Sequence, residues 1–262
     1  MAPLVNADLP AVVKNHPRAH LLSRLGLGTV KFGRNTGVKY PGGDGFALPD
    51  DAQIDSLLDL CLDLGMTLLD TAPAYGSSEE RLGQRLGVRR DKFFLMTKTG
   101  EEFDGAASRY DFSATHTRMS VERSLSRLKT DYLDCVLVHS NRDDVDVVTQ
   151  TDVLPVLHRL REEGKLGLIG VSTYTVAGGL AALDHGDAVM VAHNSGYRDE
   201  AAVIAAAQQA GKAVFVKKAL ASGHSSDAGA DLRFVLGTAG VTAAVIGSLT
   251  PANIRANVAA IS

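Results

Sequence analysis

Eight short apolar runs limit what this chain can become. They read LGLGTV, MTLLD, FFLMTK, YLDCVLVH, LGLIGVS, AVMVAHN, AVFVKK and AAVIGS, and longer segments with helical periodicity separate them. The runs recur roughly every 30 residues, the length of one strand–helix unit. Because they are apolar nearly throughout, both faces of each strand must be covered, which predicts a parallel sheet with crossover helices. An open doubly wound sheet and a closed eightfold barrel both satisfy that pattern. The count of eight, and the lack of a G-x-G-x-x-G turn in GLGTVKFG, favour the (β/α)8 TIM barrel as a single domain over residues 23–262. Residues 1–22 read as an N-terminal extension, either partly disordered or packed as a short helix. Several helical segments open on Ser, Thr or Asp and close on Gly; in SSEE, Ser77 and Glu80 have capping-box spacing, with Leu82 and Leu86 on one face.

In such a barrel the chemistry gathers where strands end at their C-termini. The runs end on Thr29 and Val30, Asp70, Lys98, His139, Ser172 and Thr173, Asn194, Lys217 and Lys218, and Gly247 with Ser248. Two long connections, residues 34–51 and 99–114, are rich in Gly, Asp and aromatics and are expected to cover the site. Composition excludes other classes. The two cysteines, Cys61 and Cys135, lie in apolar periodic segments, so neither a disulfide framework nor a cysteine metal site is expected, and no histidine has H-E-x-x-H spacing. A formal charge of −3 gives no reason to expect nucleic acid or an acidic membrane as partner. No run reaches the roughly 18 apolar residues of a membrane helix, and the N-terminus lacks a signal-peptide core, so the cytoplasm is the expected location. The commonest nucleophile-elbow hydrolase motif is absent.

Taken singly, the polar strand ends have ordinary explanations: an Asx-turn at Asp70, a solvated Lys98, a satisfied core His139, a loop aromatic at Tyr75. Together they can form a proton-donating unit. A phenol titrates near 10, and an adjacent ammonium lowers that value; Lys98 would supply the charge and Asp70 would hold Lys98. His139 would hydrogen-bond a substrate oxygen or share the proton with Tyr75, useful when a carbonyl becomes an alkoxide. A barrel aldolase with Lys98 as Schiff-base amine is the competing chemistry.

LLDTAPAYGSSEERLG, FFLMTKTG, YLDCVLVHS, IGVSTY and VIGSLTPANIRANV resemble successive signature blocks of the aldo-keto reductase superfamily, from about Arg24 to Asn257. The subgroup resembled, through VKKALASG, holds bacterial aldose and fucose dehydrogenases and broad-range reductases. The resemblance implies a tetrad of Asp70, Tyr75, Lys98 and His139, with Tyr75 as general acid in carbonyl reduction and general base in alcohol oxidation. It implies a nicotinamide cofactor held by Gly28, Thr29, Val30, Asp70, Ser172, Thr173, Asn194 and Lys217, and by Gly247, Ser248, Leu249, Thr250, Arg255 and Asn257. Thr173 stands where the family has an Asn gripping the nicotinamide amide, Met190 where a Gln is frequent, and Lys217 where an aromatic usually stacks. Gly247 and Asn253 replace the usual 2′-phosphate cations, leaving Arg255 to read that group. NADP(H) is therefore the expected cofactor and NAD(H) the alternative.

Tyr75, His139, Tyr110 and Phe112, with the loop around Tyr40, are the expected substrate contacts. The residues after Asn257 are too few for the long C-terminal loop of many relatives, which predicts an open pocket. The expected activity is hydride transfer to an aldehyde or ketone, in a monomer or small homo-oligomer. An NAD-dependent aldose dehydrogenase and a cofactor-sensing regulatory barrel with little turnover are the alternatives.

Overall fold

The structure is a computed structural model and describes Leu4 and residues 8–38, 40–41 and 43–262. The strands are β1 (Leu25–Gly28), β2 (Leu68–Asp70), β3 (Phe94–Thr99), β4 (Glu101–Phe103), β5 (Ser108–Tyr110), β6 (Leu133–His139), β7 (Leu166–Ser172), β8 (Ala188–Ala192), β9 (Ala213–Lys217) and β10 (Ala243–Ile246). Eight of them pair in parallel in the order β1-β10-β9-β8-β7-β6-β3-β2, and β2 returns to β1. The eight apolar runs thus close into a (β/α)8 barrel. β4 and β5 form a separate antiparallel hairpin inside the second long connection.

The helices are α1 (Ala11–Lys14), α2 (Val30–Gly33), α3 (Asp51–Asp63), α4 (Ser78–Leu86), α5 (Ala114–Leu128), α6 (Asp144–Gln150), α7 (Val153–Glu162), α8 (Val176–His185), α9 (Ala201–Gln209), α10 (Ala228–Gly237) and α11 (Pro251–Ala259). The run LGLGTV is not all strand: β1 stops at Gly28, and Val30 opens α2.

Side-chain parity explains why the barrel mouth is polar. Leu68, Phe94 and Met96, Cys135 and Leu137, Leu168, Met190, and Ala213 and Phe215 share one buried cluster inside the barrel. Leu69, Leu95, Val136, Val138, Ile169, Val171, Val214 and Val216, the alternate residues, pack in the outer cluster with helix residues such as Ile54, Leu57 and Leu160. Since strand side chains alternate with period two, the next inward positions on four strands are Asp70, Lys98, His139 and Lys217, and Ser172 follows Leu168 and Gly170 on β7. One alternation rule therefore sets the core and delivers five polar groups to one rim.

The opposite end is closed by the chain before β1. Val13 of α1 and Leu22 are buried in the same interior cluster as Phe94 and Phe215. The His16 ring packs at a tilt on Phe94, 5.2 Å between centroids, with Tyr132 Oη 3.1 Å from its Nε2. Arg18 and Arg90 reach the buried Asp134 at 2.8 and 3.1 Å, and Asp134 accepts the Leu95 N–H at 2.8 Å. Residues 8–22 thus hold a short helix packed on the barrel floor, while residues 1–3 and 5–7 of the expected extension lie outside the described residues.

Helix starts follow the sequence signals unevenly. At α3, Asp50 and Gln53 make a complete capping box at 2.7 and 2.8 Å, and Ile54, Leu57, Leu58 and Cys61 form the buried face. The capping box expected at Ser77 and Glu80 does not form. Ser77 has φ −84° and ψ 9° instead of the extended backbone that a capping side chain needs, and its hydroxyl makes no cap. Glu80 pairs with Arg127 at 3.1 Å. The cause lies one residue earlier, where Gly76 (φ +62°) passes so close to Gly33 that a Cβ would sit 2.2 Å from Gly33 O. Leu82 and Leu86 are buried as the pattern requires.

Candidate active site

Lys98 Nζ donates to Asp70 Oδ1 at 2.5 Å and to Thr71 O at 3.0 Å. Both residues are almost fully buried, Lys98 at 1% and Asp70 at 4% exposure, so the ion pair sits in a medium that rewards pairing and penalises any lone charge. Thr29 braces the neighbouring backbone by donating both its N–H and its hydroxyl to Asp70 O. Tyr75 ends a one-turn helix at Pro73–Tyr75, and the close Gly33–Gly76 contact folds that turn back over the mouth. Lys98 Nζ lies 4.8 Å from the Tyr75 ring centroid, and the His139 ring stands edge-on to Tyr75 at 6.4 Å and 87°. The four expected tetrad residues therefore meet at one point.

Their electrostatics differ from the expectation. The Tyr75 phenol is shifted up, not down: burial is the main cause, and the charges of Asp70 and Glu101 and the nearby Tyr40 and Tyr174 act in the same direction. The Lys98 ammonium is committed to Asp70 and Thr71 O, so it is not a free positive charge beside the phenol. Tyr40, over the same mouth, is pushed up to about 12 by burial and by Asp70.

Glu101, which the sequence reading did not single out, completes this side. It opens β4, is 7% exposed, accepts from Ser108 Oγ at 2.5 Å, and brings Oε2 within 2.6 Å of His139 Nδ1. The approach is short but makes no hydrogen bond, and Nδ1 is buried without a hydrogen-bond partner. Burial opposes ionisation of Glu101, but contact with His139 and the Ser108 hydroxyl bring its pKa down to about 2. Burial lowers the His139 pKa; Glu101 works against this, and Lys98 and Lys217 add to it. The signal available in the sequence was an acid three residues after Lys98, following a glycine. Gly100 has φ +101° and lies where a Cβ would be 2.5 Å from the Phe112 ring, so the chain reverses there and returns Glu101 to the mouth.

The other side of the mouth centres on Lys217. Its ammonium donates to Ser172 Oγ at 2.9 Å and Thr173 O at 2.7 Å and lies 4.2 Å from the Tyr174 ring centroid. Burial brings its pKa down to about 7, with Glu200 resisting and Lys218 adding to the shift. The Thr173 hydroxyl reaches Glu200 at 3.3 Å, and the Asn194 amide is spent on Lys218 O and Gly196 N, each at 3.0 Å. Arg142, Tyr174, Asn194, Lys217, Lys218 and Ser222 are among the walls of a cavity of about 380 Å³. The acid Glu200 also lines it, so basic, acidic, hydroxyl and amide groups share one cavity.

The remaining sequence-predicted residues are more dispersed. Gly28 and Val30 flank Thr29 at the top of β1, and Gly247 lies under the Tyr40 hydroxyl, 3.6 Å from where its Cβ would be. Ser248 and Leu249 lead to Thr250, whose N–H is taken by Ser248 Oγ at 3.2 Å; Pro251 then opens α11 without an N–H to offer. Arg255 is on the exposed face of α11 and Asn257 on its buried face. Phe112 packs against the core, whereas Tyr110 is 39% exposed on the hairpin. Among the described residues, no three His, Cys, Asp or Glu converge to hold a metal, and no helix is long and apolar enough to cross a membrane.

A closed parallel barrel thus carries a buried lysine–carboxylate pair, a tyrosine and a histidine at its C-terminal mouth. Residues 24–231 match the Aldo/keto reductase family, and the chain belongs to that family of oxidoreductases. A Pseudomonas aeruginosa protein assigned to the aldo-keto reductases is 46% identical, with a TM-score of 0.84 over 91% of this chain and 89% of that one. The aldo-keto reductase YhdN of Bacillus subtilis is 34% identical over 59% of this chain and 44% of its own length. D-threo-aldose 1-dehydrogenase from a Pseudomonas species is 31% identical over 48% of this chain and 45% of its own. The matches thus span less than half the length of these curated relatives.

Proposed function

We propose that this chain is an NAD(P)-dependent oxidoreductase that transfers hydride between a nicotinamide cofactor and an aldehyde or ketone, or the corresponding alcohol. The observation that carries this reading is the buried Lys98–Asp70 pair set against Tyr75, with the His139 ring edge-on to the same tyrosine. Tyr75 would give its proton to the substrate oxygen in reduction and take it back in oxidation. Lys98 would keep positive charge beside the reacting oxygen, and Asp70 would fix Lys98 in place.

The cofactor would supply or accept the hydride. Ser172, Thr173, Asn194 and Lys217 would hold its nicotinamide end, beside Gly28, Thr29 and Val30. The segment from Gly247 to Thr250, with Arg255 and Asn257, would hold the adenosine end, and Arg255 favours NADPH over NADH. NAD-dependent oxidation of an aldose is the second reading; the match to an aldose dehydrogenase favours it.

The test follows the reduced-nicotinamide absorbance with each cofactor across aldehydes, ketones and aldoses. Turnover that Tyr75→Phe abolishes is expected. Covalent trapping of substrate on Lys98 by borohydride would overturn the reading, and Arg255→Ala should weaken NADPH much more than NADH.

A further inference from the structure

We infer that Lys217 is a covalent aldehyde-binding site: its side-chain amine condenses with small aldehydes to a reversible imine in the cavity at the barrel mouth. This goes beyond the hydride-transfer reading and does not rest on it.

The two lysines that end β3 and β9 differ in what holds them. Lys98 has a carboxylate partner, Asp70. Lys217 has none: among the described residues no acid makes an ion pair with it, and its nitrogen donates only to neutral oxygens, Ser172 Oγ at 2.9 Å and Thr173 O at 2.7 Å. An ammonium has three N–H groups to place, whereas a neutral amine has two and a lone pair. Two oxygen acceptors therefore satisfy the neutral amine in full. Glu200, before α9, does not close on it, because its carboxylate is taken by the Ala192 N–H at 3.0 Å and the Thr173 hydroxyl at 3.3 Å.

The surroundings act in the same sense. Burial is the largest influence and disfavours the charge, and Lys218 and Lys98 add to it; Glu200, Asp144 on α6 and the face of the Tyr174 ring favour the charge. Burial wins, which leaves the amine with a pKa of about 7.

The amine can be reached. Lys217 is half-buried and lines the cavity of about 380 Å³ beside Tyr174, Asn194 and Tyr197, with room for an aldehyde of a few carbons. Among the described residues, Arg142, Lys218, Ala221 and Ser222 have left-handed backbone without being glycine, and all four line this same cavity. Backbone strain of that kind collects at ligand sites. In the reaction the nitrogen lone pair forms the C–N bond, the carbonyl C–O bond breaks, and both amine hydrogens leave with the oxygen as water. Water reverses it. Lys98, charged and paired, has no lone pair to give.

The test uses the wild-type chain without nicotinamide, incubated with propanal and cyanoborohydride, which reduces an imine to a stable secondary amine. Peptide mass spectrometry then gives the labelling rate at each lysine. At pH 7 Lys217 holds roughly a thousandfold more neutral amine than the exposed Lys92 and Lys129, an excess partly offset by its lower basicity. Labelling about tenfold faster than at those two is expected. The ratio of its rate to theirs should then fall about tenfold per pH unit between about pH 8 and 10, as they lose protons and it has none left to lose. Equal rates at pH 7, a ratio that does not change with pH, or label on Lys98 instead would overturn the inference. Equal rates with Lys98 unlabelled would strike this inference alone and leave the hydride-transfer reading standing.

Discussion

The Asp70–Lys98 pair makes a quantitative demand on stability as well as activity. Asp70→Asn leaves an ammonium at 1% exposure with neutral oxygens as partners and no counter-charge. Lys98→Met leaves a buried carboxylate and takes the donor from that carbonyl. Either single change should cost about 3–5 kcal/mol, the usual penalty for stranding one buried charge. The double variant strands none. What it loses is the hydrogen bonding of Thr71 O and of the amide put in place of the Asp70 carboxylate, about 1–3 kcal/mol in all. Two independent losses would sum to about 6–10 kcal/mol, so the cycle should return a coupling energy of several kcal/mol. Urea unfolding of the four proteins, with m held common, measures it. Activity should be lost in all three variants, so stability returns in the double variant while turnover does not. Additive losses within about 0.5 kcal/mol would refute the argument that the two charges hold each other in a low-dielectric site.

Three other outcomes follow from single features. Lys217 titrates lower in the native chain than when unfolded, so it weakens the fold progressively as pH falls from about 10.5 to about 7; Lys217→Met should gain on the wild type across that window, by on the order of 2 kcal/mol near pH 7. Glu101 has the opposite sign: its depressed pKa stabilises the native chain above about 4.5, and that is lost as pH falls toward about 2. Wild type should therefore lose about 3 kcal/mol more than Glu101→Gln over that range, read from urea midpoints. Asp134→Ala should destabilise by about 1–3 kcal/mol, since it removes the carboxylate that Arg18 and Arg90 share and unpairs the buried Leu95 N–H at the barrel floor.

The barrel was legible because its signal is local and repeated. A strand buried on both faces must be apolar along its whole length, so eight such runs declare a covered parallel sheet before any contact is known. Which residues reach the mouth was also legible, because parity is counted along the sequence: two positions beyond Leu68, Met96, Leu137 and Phe215 stand Asp70, Lys98, His139 and Lys217. The Ser77–Glu80 spacing misled because a cap depends on the backbone angle of its first residue, and that angle is set by Gly33, distant in sequence and adjacent in space.

The shift of Tyr75 was not legible for a related reason. Sequence places an ammonium near the phenol and Asp70 to hold it, but does not say how deeply the phenol is buried or that a second acid comes close. That second acid, Glu101, lies in a connection with no periodic pattern, and only the reversal at Gly100 makes it a neighbour of His139. Both facts bear on one physical quantity, the balance of charge around Tyr75. Asp70 neutralises Lys98 and Glu101 adds a further negative group, so the resting mouth is poorer in positive charge than a count of its strand-end lysine suggests. A mouth in that state holds the phenol's proton tightly. It would release the proton only when positive charge develops nearby or negative charge forms on the substrate oxygen, which ties the proton's movement to the hydride's.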